Sequence, residues 1–97
     1  MKAHRQSAAR PRPDLLHREL GGETVLLDLD QGTYYGLDEV GTSIWRALQT
    51  ESGDPRPLEE VHAELLEEYE VGAEELWTDL LALVDELAQR NLVDVVR

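Results

Sequence analysis

Hydrophobic and polar positions change rhythm three times along the chain. Residues 1–13 show no apolar period and are rich in Arg, Ala and Pro, which predicts a disordered basic tail. From Asp14 the pattern becomes that of short extended segments. Leu15 to Leu20 reads as a strand, Gly21-Gly22 as a turn, and Glu23 to Leu29 alternates with Val25, Leu27 and Leu29 on one face. Asp30-Gln31-Gly32 then suits a three-residue hairpin loop, with Gly32 in the left-handed conformation and Thr33 to Leu37 returning as the third strand. That register sets Leu29 against Thr33, Leu27 against Tyr35 and Val25 against Leu37; a two-residue loop would pair Leu29 with Tyr34 and is less favoured because it does not bury Leu37.

The period then lengthens to that of helices. Asp38 is a good N-cap for a helix from Glu39 to Gln49, whose stripe is Val40, Ile44, Ala47 and Leu48 with Trp45 beside it. Thr50 to Arg56, containing Ser-Gly-Asp-Pro, forms a loop, and Pro57 fits the first turn of a second helix with the stripe Leu58, Val61, Leu65 and Tyr69. Gly72 either ends that helix or caps the next. The third helix, Ala73 to Arg90, carries Leu76, Trp77, Leu80, Leu81, Leu83, Val84, Leu87 and Ala88, an apolar arc of nearly half its circumference at ~100° per residue. A helix with one neighbour needs less, so this one is expected to face its core and a second surface. Asn91 suits the left-handed C-terminal position, and Val93 to Val96 a short extended end.

Three strands followed by three helices predict an α+β domain over residues 14–97, a three-stranded antiparallel sheet with its helices on one face, in a winged helix-turn-helix-like arrangement. The length of 97 residues allows one core. Without cysteine there is no thiol catalysis, disulfide or zinc–thiolate site. No apolar run approaches the ~20 residues of a membrane span, and no apolar stretch follows the basic N-terminus as in a secretory signal, so a cytoplasmic location is expected.

Net charge is −12, and because Lys2, Arg5, Arg10 and Arg12 lie in the acid-free opening, the remainder carries about 16 net negative charges. Such a body repels phosphate backbones and attracts basic or neutral peptides, though acidity alone commonly serves solubility. His4, His17 and His62 lack ligand spacing, and Glu59-Glu60, Glu67-Glu68 and Glu74-Glu75 read as solvated helix faces, not as acid–base pairs. No nucleophile motif or phosphate loop is present. The expectation is a non-catalytic binding module with no cofactor and no metal.

The run Val25-Leu26-Leu27-Asp28-Leu29-Asp30-Gln31-Gly32-Thr33-Tyr34-Tyr35-Gly36-Leu37-Asp38-Glu39-Val40-Gly41-Thr42-Ser43-Ile44-Trp45 resembles the PqqD-like family, the leader-peptide recognition domains of ribosomally synthesised, post-translationally modified peptide pathways. The likeness continues through Leu58-Glu59-Glu60-Val61, Tyr69-Glu70-Val71, Glu74-Glu75-Leu76, Asp79, Leu80, Leu83, Leu87 and Leu92-Val93, covering roughly residues 15–95. Gly-x-Tyr-Tyr-x-Leu followed by Ile-Trp looks closer to the stand-alone recognition proteins of lasso peptide clusters than to the peptide chaperone of the quinone-cofactor pathway. Asp38, where the family most often has asparagine, Gly72 and Arg56-Pro57 depart from its pattern at helix caps.

The resemblance implies that an extended leader peptide adds to the third strand and that the protein delivers its precursor to a leader protease or other modifying enzyme. The residues expected to bind peptide are Thr33, Tyr34, Tyr35, Gly36 and Leu37 of that strand and Leu76, Asp79, Leu80 and Leu83 of the third helix, with Asp79 placed to pair with a basic leader residue. Tyr34 and Tyr35 point to opposite faces, one into the core and the other toward partner or solvent. Trp45 is expected to pack in the core. A winged-helix DNA-binding regulator would share the fold, but the third helix offers only Arg90 beside five acids, which disfavours nucleic acid as a partner.

Overall fold

The hairpin foreseen from the sequence is present, one residue out of the expected register. In the computed structural model, which describes residues 2–96, the elements run β1 (Ala8–Pro11), β2 (Leu16–Leu20), β3 (Glu23–Asp28), β4 (Thr33–Leu37), α1 (Glu39–Leu48), β5 (Arg56–Pro57), α2 (Leu58–Glu68), α3 (Ala73–Gln89) and β6 (Val93–Val96). The outermost residues of the expected tail and domain, Met1 and Arg97, lie outside the described residues. Strands β2, β3 and β4 form an antiparallel three-stranded sheet in that order, followed by the three helices: the expected α+β architecture.

Strand β3 pairs with β4 as Asp28↔Thr33, Leu27↔Tyr34, Leu26↔Tyr35, Val25↔Gly36 and Thr24↔Leu37, so the loop has four residues, Leu29 to Gly32. A one-residue slip exchanges the faces of a strand. Thr24, Leu26 and Asp28 therefore point inward and are buried, whereas Val25 and Leu29 are exposed. The polar inward residues have partners that local alternation does not reveal. Thr24 Oγ1 donates to Thr42 Oγ1 at 2.9 Å. One carboxylate oxygen of Asp28 accepts the amides of Asp30 at 3.0 Å and Gln31 at 3.3 Å, closing the turn from below. Gly32 takes the left-handed conformation foreseen for it, at φ +68°, and its amide donates to the Asp28 carbonyl at 2.9 Å.

The expected disordered tail over 1–13 is corrected by β1. This strand lies between β5 and β6, pairing Ala8 with both Pro57 and Val96, and Pro11 with Val93. Ala9 is fully buried, and Ala3 and Ser7 nearly so. The Ser7 carbonyl accepts the amide of Leu58 at 2.9 Å, so the N-terminal segment caps the start of α2, where Pro57 supplies no side-chain bond. Small residues gave no apolar period, and the partner strand β6 is more than 80 positions away in sequence.

The helices follow the expected stripes closely. Asp38 caps α1, its side chain accepting the Gly41 amide at 2.8 Å. Ile44, Trp45, Ala47 and Leu48 of α1 pack with Leu58, Val61 and Leu65 of α2 and Leu76, Leu80, Val84 and Leu87 of α3 in one core, capped from the sheet by Leu26 and Leu37. Gly72 precedes α3 as its N-cap, and Asn91 closes α3 with φ 60°. Among the described residues no helix is long and apolar enough to cross a membrane.

Candidate functional site: an edge strand facing an acidic helix wall

β4 is hydrogen-bonded only to β3, so its other side is a sheet edge among the described residues. Asp38 turns the chain from that edge straight into α1, and α3 runs across the far side of the gap. Between them lies a cleft of about 510 Å³. Its β4 wall is Tyr35, Gly36 and Leu37; its end is formed by Asp38, Val40, Gly41 and Ile44; its opposite wall is Asp79, Ala82, Leu83 and Glu86 of α3. The α3 residues recur at helical spacing, which puts them on one face toward β4. Gly41 lets Leu37 and Asp38 pack closely against the first turn of α1, since a Cβ there would meet Leu37 Cδ2 at 3.2 Å and Asp38 Oδ1 at 3.3 Å.

A smaller pocket of about 50 Å³ continues the cleft along α1, sharing Val40, Ile44 and Asp79 with it and adding Leu65, Tyr69, Val71 and Leu76. Its lining is apolar except for Asp79 and the Tyr69 hydroxyl, which contacts Ser43 Oγ. An extended chain lying against β4 could send a nonpolar side chain into it.

The residues expected to bind peptide therefore divide. Tyr35, Gly36, Leu37, Asp79 and Leu83 meet in the cleft, and Leu76 lines the adjoining pocket. Leu80 is fully buried in the core and reaches neither. Thr33 lies outside the cleft wall, and Tyr34, 77% exposed, projects from the outer face of the sheet opposite Leu27, which is itself opposite Leu16 on β2. The Tyr34–Tyr35 alternative is thereby settled: Tyr35 turns inward, part-buried against the core. Trp77, on the other margin of α3, stacks on His62 with ring centroids 4.2 Å apart. Trp45 is 2% exposed, in the core as expected.

Sequence reasoning missed Asp38, Val40, Gly41, Ile44, Ala82 and Glu86 as cleft residues. No sequence signal set Val40 apart: it belongs to the same apolar stripe as Ile44, Ala47 and Leu48, and only the structure shows it 42% exposed while they are buried. Ala82 and Glu86 follow from Asp79 and Leu83 by helical spacing alone.

The electrostatics of the cleft are acidic. Glu86 pairs with Arg90 at 3.6 Å, and the Arg90 guanidinium lies 4.9 Å from the centre of the Tyr35 ring. Burial, followed by the neighbouring Glu86 carboxylate, holds the Tyr35 phenol above its ordinary pKa. Asp79 is exposed and makes no ion pair among the described residues. No group of three or more His, Asp or Glu side chains among the described residues could hold a metal ion. The cleft offers backbone donors and acceptors, a nonpolar floor and carboxylates, an arrangement for gripping an extended peptide.

Comparison with known proteins agrees with that geometry. Residues 23–93 match the family described as coenzyme PQQ synthesis protein D (PqqD). A solved structure, TbiB1 in complex with the TbiA(beta) leader peptide, superposes with a TM-score of 0.75 at 35% identity, covering 88% of this chain and 94% of that one. No curated protein matches.

Proposed function

This chain belongs to the PqqD family, and from that premise we propose that it is a leader-peptide recognition element, a non-catalytic protein that takes the leader of a ribosomal precursor as an added strand on β4 and delivers it to a leader protease or other modifying enzyme. The observation that carries this reading is the unpaired β4 edge facing the Asp79–Leu83–Glu86 wall across an open cleft. The backbone of the leader would bond to β4. Alternate leader side chains would enter the cleft, a nonpolar one filling the pocket beside Val40 and Leu76 and a basic one meeting Asp79. TbiB1, similar over most of both chains, was solved with a leader peptide, which supports the same role here.

The pathway we assign is lasso peptide biosynthesis, on the Gly32–Leu37 run and the Ile44-Trp45 pair, with the protein acting in the cytoplasm as a partner of precursor and protease. A quinone-cofactor peptide chaperone is the alternative within the family.

The test is amide hydrogen exchange of the full chain with and without the synthetic leader of a precursor encoded beside it. Strand addition predicts new protection at alternate β4 amides, and Ala82→Glu, at an exposed cleft residue, should abolish it while leaving the thermal midpoint nearly unchanged. Binding that protects α3 but leaves β4 exchanging as before would reject strand addition. Failure to bind any neighbouring leader would reject the function.

A further inference from the structure

Helix α1 divides the molecule between two concave surfaces. Ile44 faces the leader cleft, whereas the next residue, Trp45, lines a separate pocket of about 220 Å³ together with Gln49. Arg10 of β1, Arg12 just beyond it, His17 of β2 and Thr50 complete the polar lining. Each of these side chains carries an N–H or O–H donor. Although the chain has 21 Asp and Glu residues, no carboxylate lines this pocket among the described residues.

Trp45 adds an independent sign. It is 2% exposed, and its indole Nε1 is buried without a hydrogen-bond partner. Indole N–H is a donor only, so its need is for an acceptor. The arginines retain donors as well. Arg12 uses one guanidinium nitrogen on the Asn91 carbonyl at 2.8 Å and lies 3.8 Å from both Asp14 and Asp28, while Arg10 engages Asp94 through Nε at 3.4 Å. A guanidinium has five N–H groups, more than these contacts consume. Pro11, Pro13 and Leu15 supply a nonpolar side to the same pocket.

We propose that this pocket binds a carboxylate on a short aliphatic stem, with Arg10, Arg12 and the Trp45 indole as donors. The acidic oxygen pair satisfies the orphaned N–H and the free guanidinium donors, and the stem lies on the prolines and Leu15. The basic opening of the sequence thereby acquires a use: two of its arginines are carried by the β1 segment to a site on a different face of α1 from the leader cleft. Such a carboxylate could belong to a free small acid or to an acidic side chain of a partner protein.

The two indole N–H resonances, assigned with Trp45→Phe, report the site in nitrogen-15 NMR of the full chain. The titrants are sodium butyrate and an N-acetylated, C-amidated tripeptide with one central glutamate, against sodium chloride at equal ionic strength. The Trp45 signal should shift saturably with a carboxylate while Trp77 stays, and Arg10→Gln should weaken the midpoint by about tenfold. A tighter midpoint for the tripeptide assigns a protein side chain as the source; equal or tighter binding of butyrate assigns a free acid. A Trp45 signal that follows chloride as closely as the carboxylates, or a midpoint unmoved by Arg10→Gln, would overturn the proposal.

Discussion

The hydroxyls of Thr24 and Thr42 meet at 2.9 Å between the inner face of β3 and the first turns of α1, both residues being 1% exposed. This bond explains how a threonine occupies an inward position that alternation would assign to Val25. Replacing Thr24 by valine keeps the volume but leaves the Thr42 hydroxyl buried without this partner, costing about 1–3 kcal/mol. The Thr24→Val/Thr42→Val double variant should recover much of that loss. Urea unfolding of the four proteins checks the cycle, and strict additivity would show that the bond contributes nothing.

The register makes a second contrast measurable. Leu26 is fully buried and Val25 is 44% exposed, although the sequence pattern favours the opposite. Leu26→Ala should cost about 2–5 kcal/mol, and Val25→Ala no more than about 1 kcal/mol. Equal losses would contradict the observed register.

β1 gives a third. Ala9 is fully buried between its neighbouring strands, so Ala9→Asp places a charge with no room to hydrate and should destabilise by more than about 2 kcal/mol. A disordered tail would tolerate the change. The thermal midpoint distinguishes the two.

Tyr35 supplies a pH dependence. Its phenol is held above the ordinary 10.0, first by burial and then by Glu86, so the neutral form is favoured in the folded protein. The corresponding stability is complete below the unfolded pKa and is lost as pH rises through the higher folded one. Absorbance at the phenolate band should show a tyrosine phase above pH 10 that is absent from Tyr35→Phe.

At the cleft, Asp79→Asn should weaken binding of a leader that carries a basic residue there by no more than about fivefold, the scale of an exposed ion pair, and the difference should vanish in high salt. Isothermal calorimetry at two salt concentrations measures it. A loss that is independent of salt would assign Asp79 a hydrogen-bonding role instead.

The helices were legible because their partners lie within one heptad or so. Asp38, Leu58 and Asn91 sit where capping and periodicity put them. The family pattern and helical spacing also singled out Tyr35, Gly36, Leu37, Asp79 and Leu83, which the structure brings together along one cleft. Leu80 was misassigned because an arc wide enough for two surfaces does not say which residue lies at its centre. The β3 face was misread because Thr24 and Asp28 find their polar partners in α1 and in the turn, beyond the reach of alternation. β1 was invisible since Ala9 fills its place by being small and its partner strand comes from the other end of the chain.

That last pairing also ties the N-terminal segment to the last described strand. Ala8 stands directly across from Val96, a separation of ~5 Å between Cα atoms in antiparallel neighbours. Peeling either strand away therefore strips the other of a neighbour, so a probe of exchange at β6 also reads whether β1 is seated.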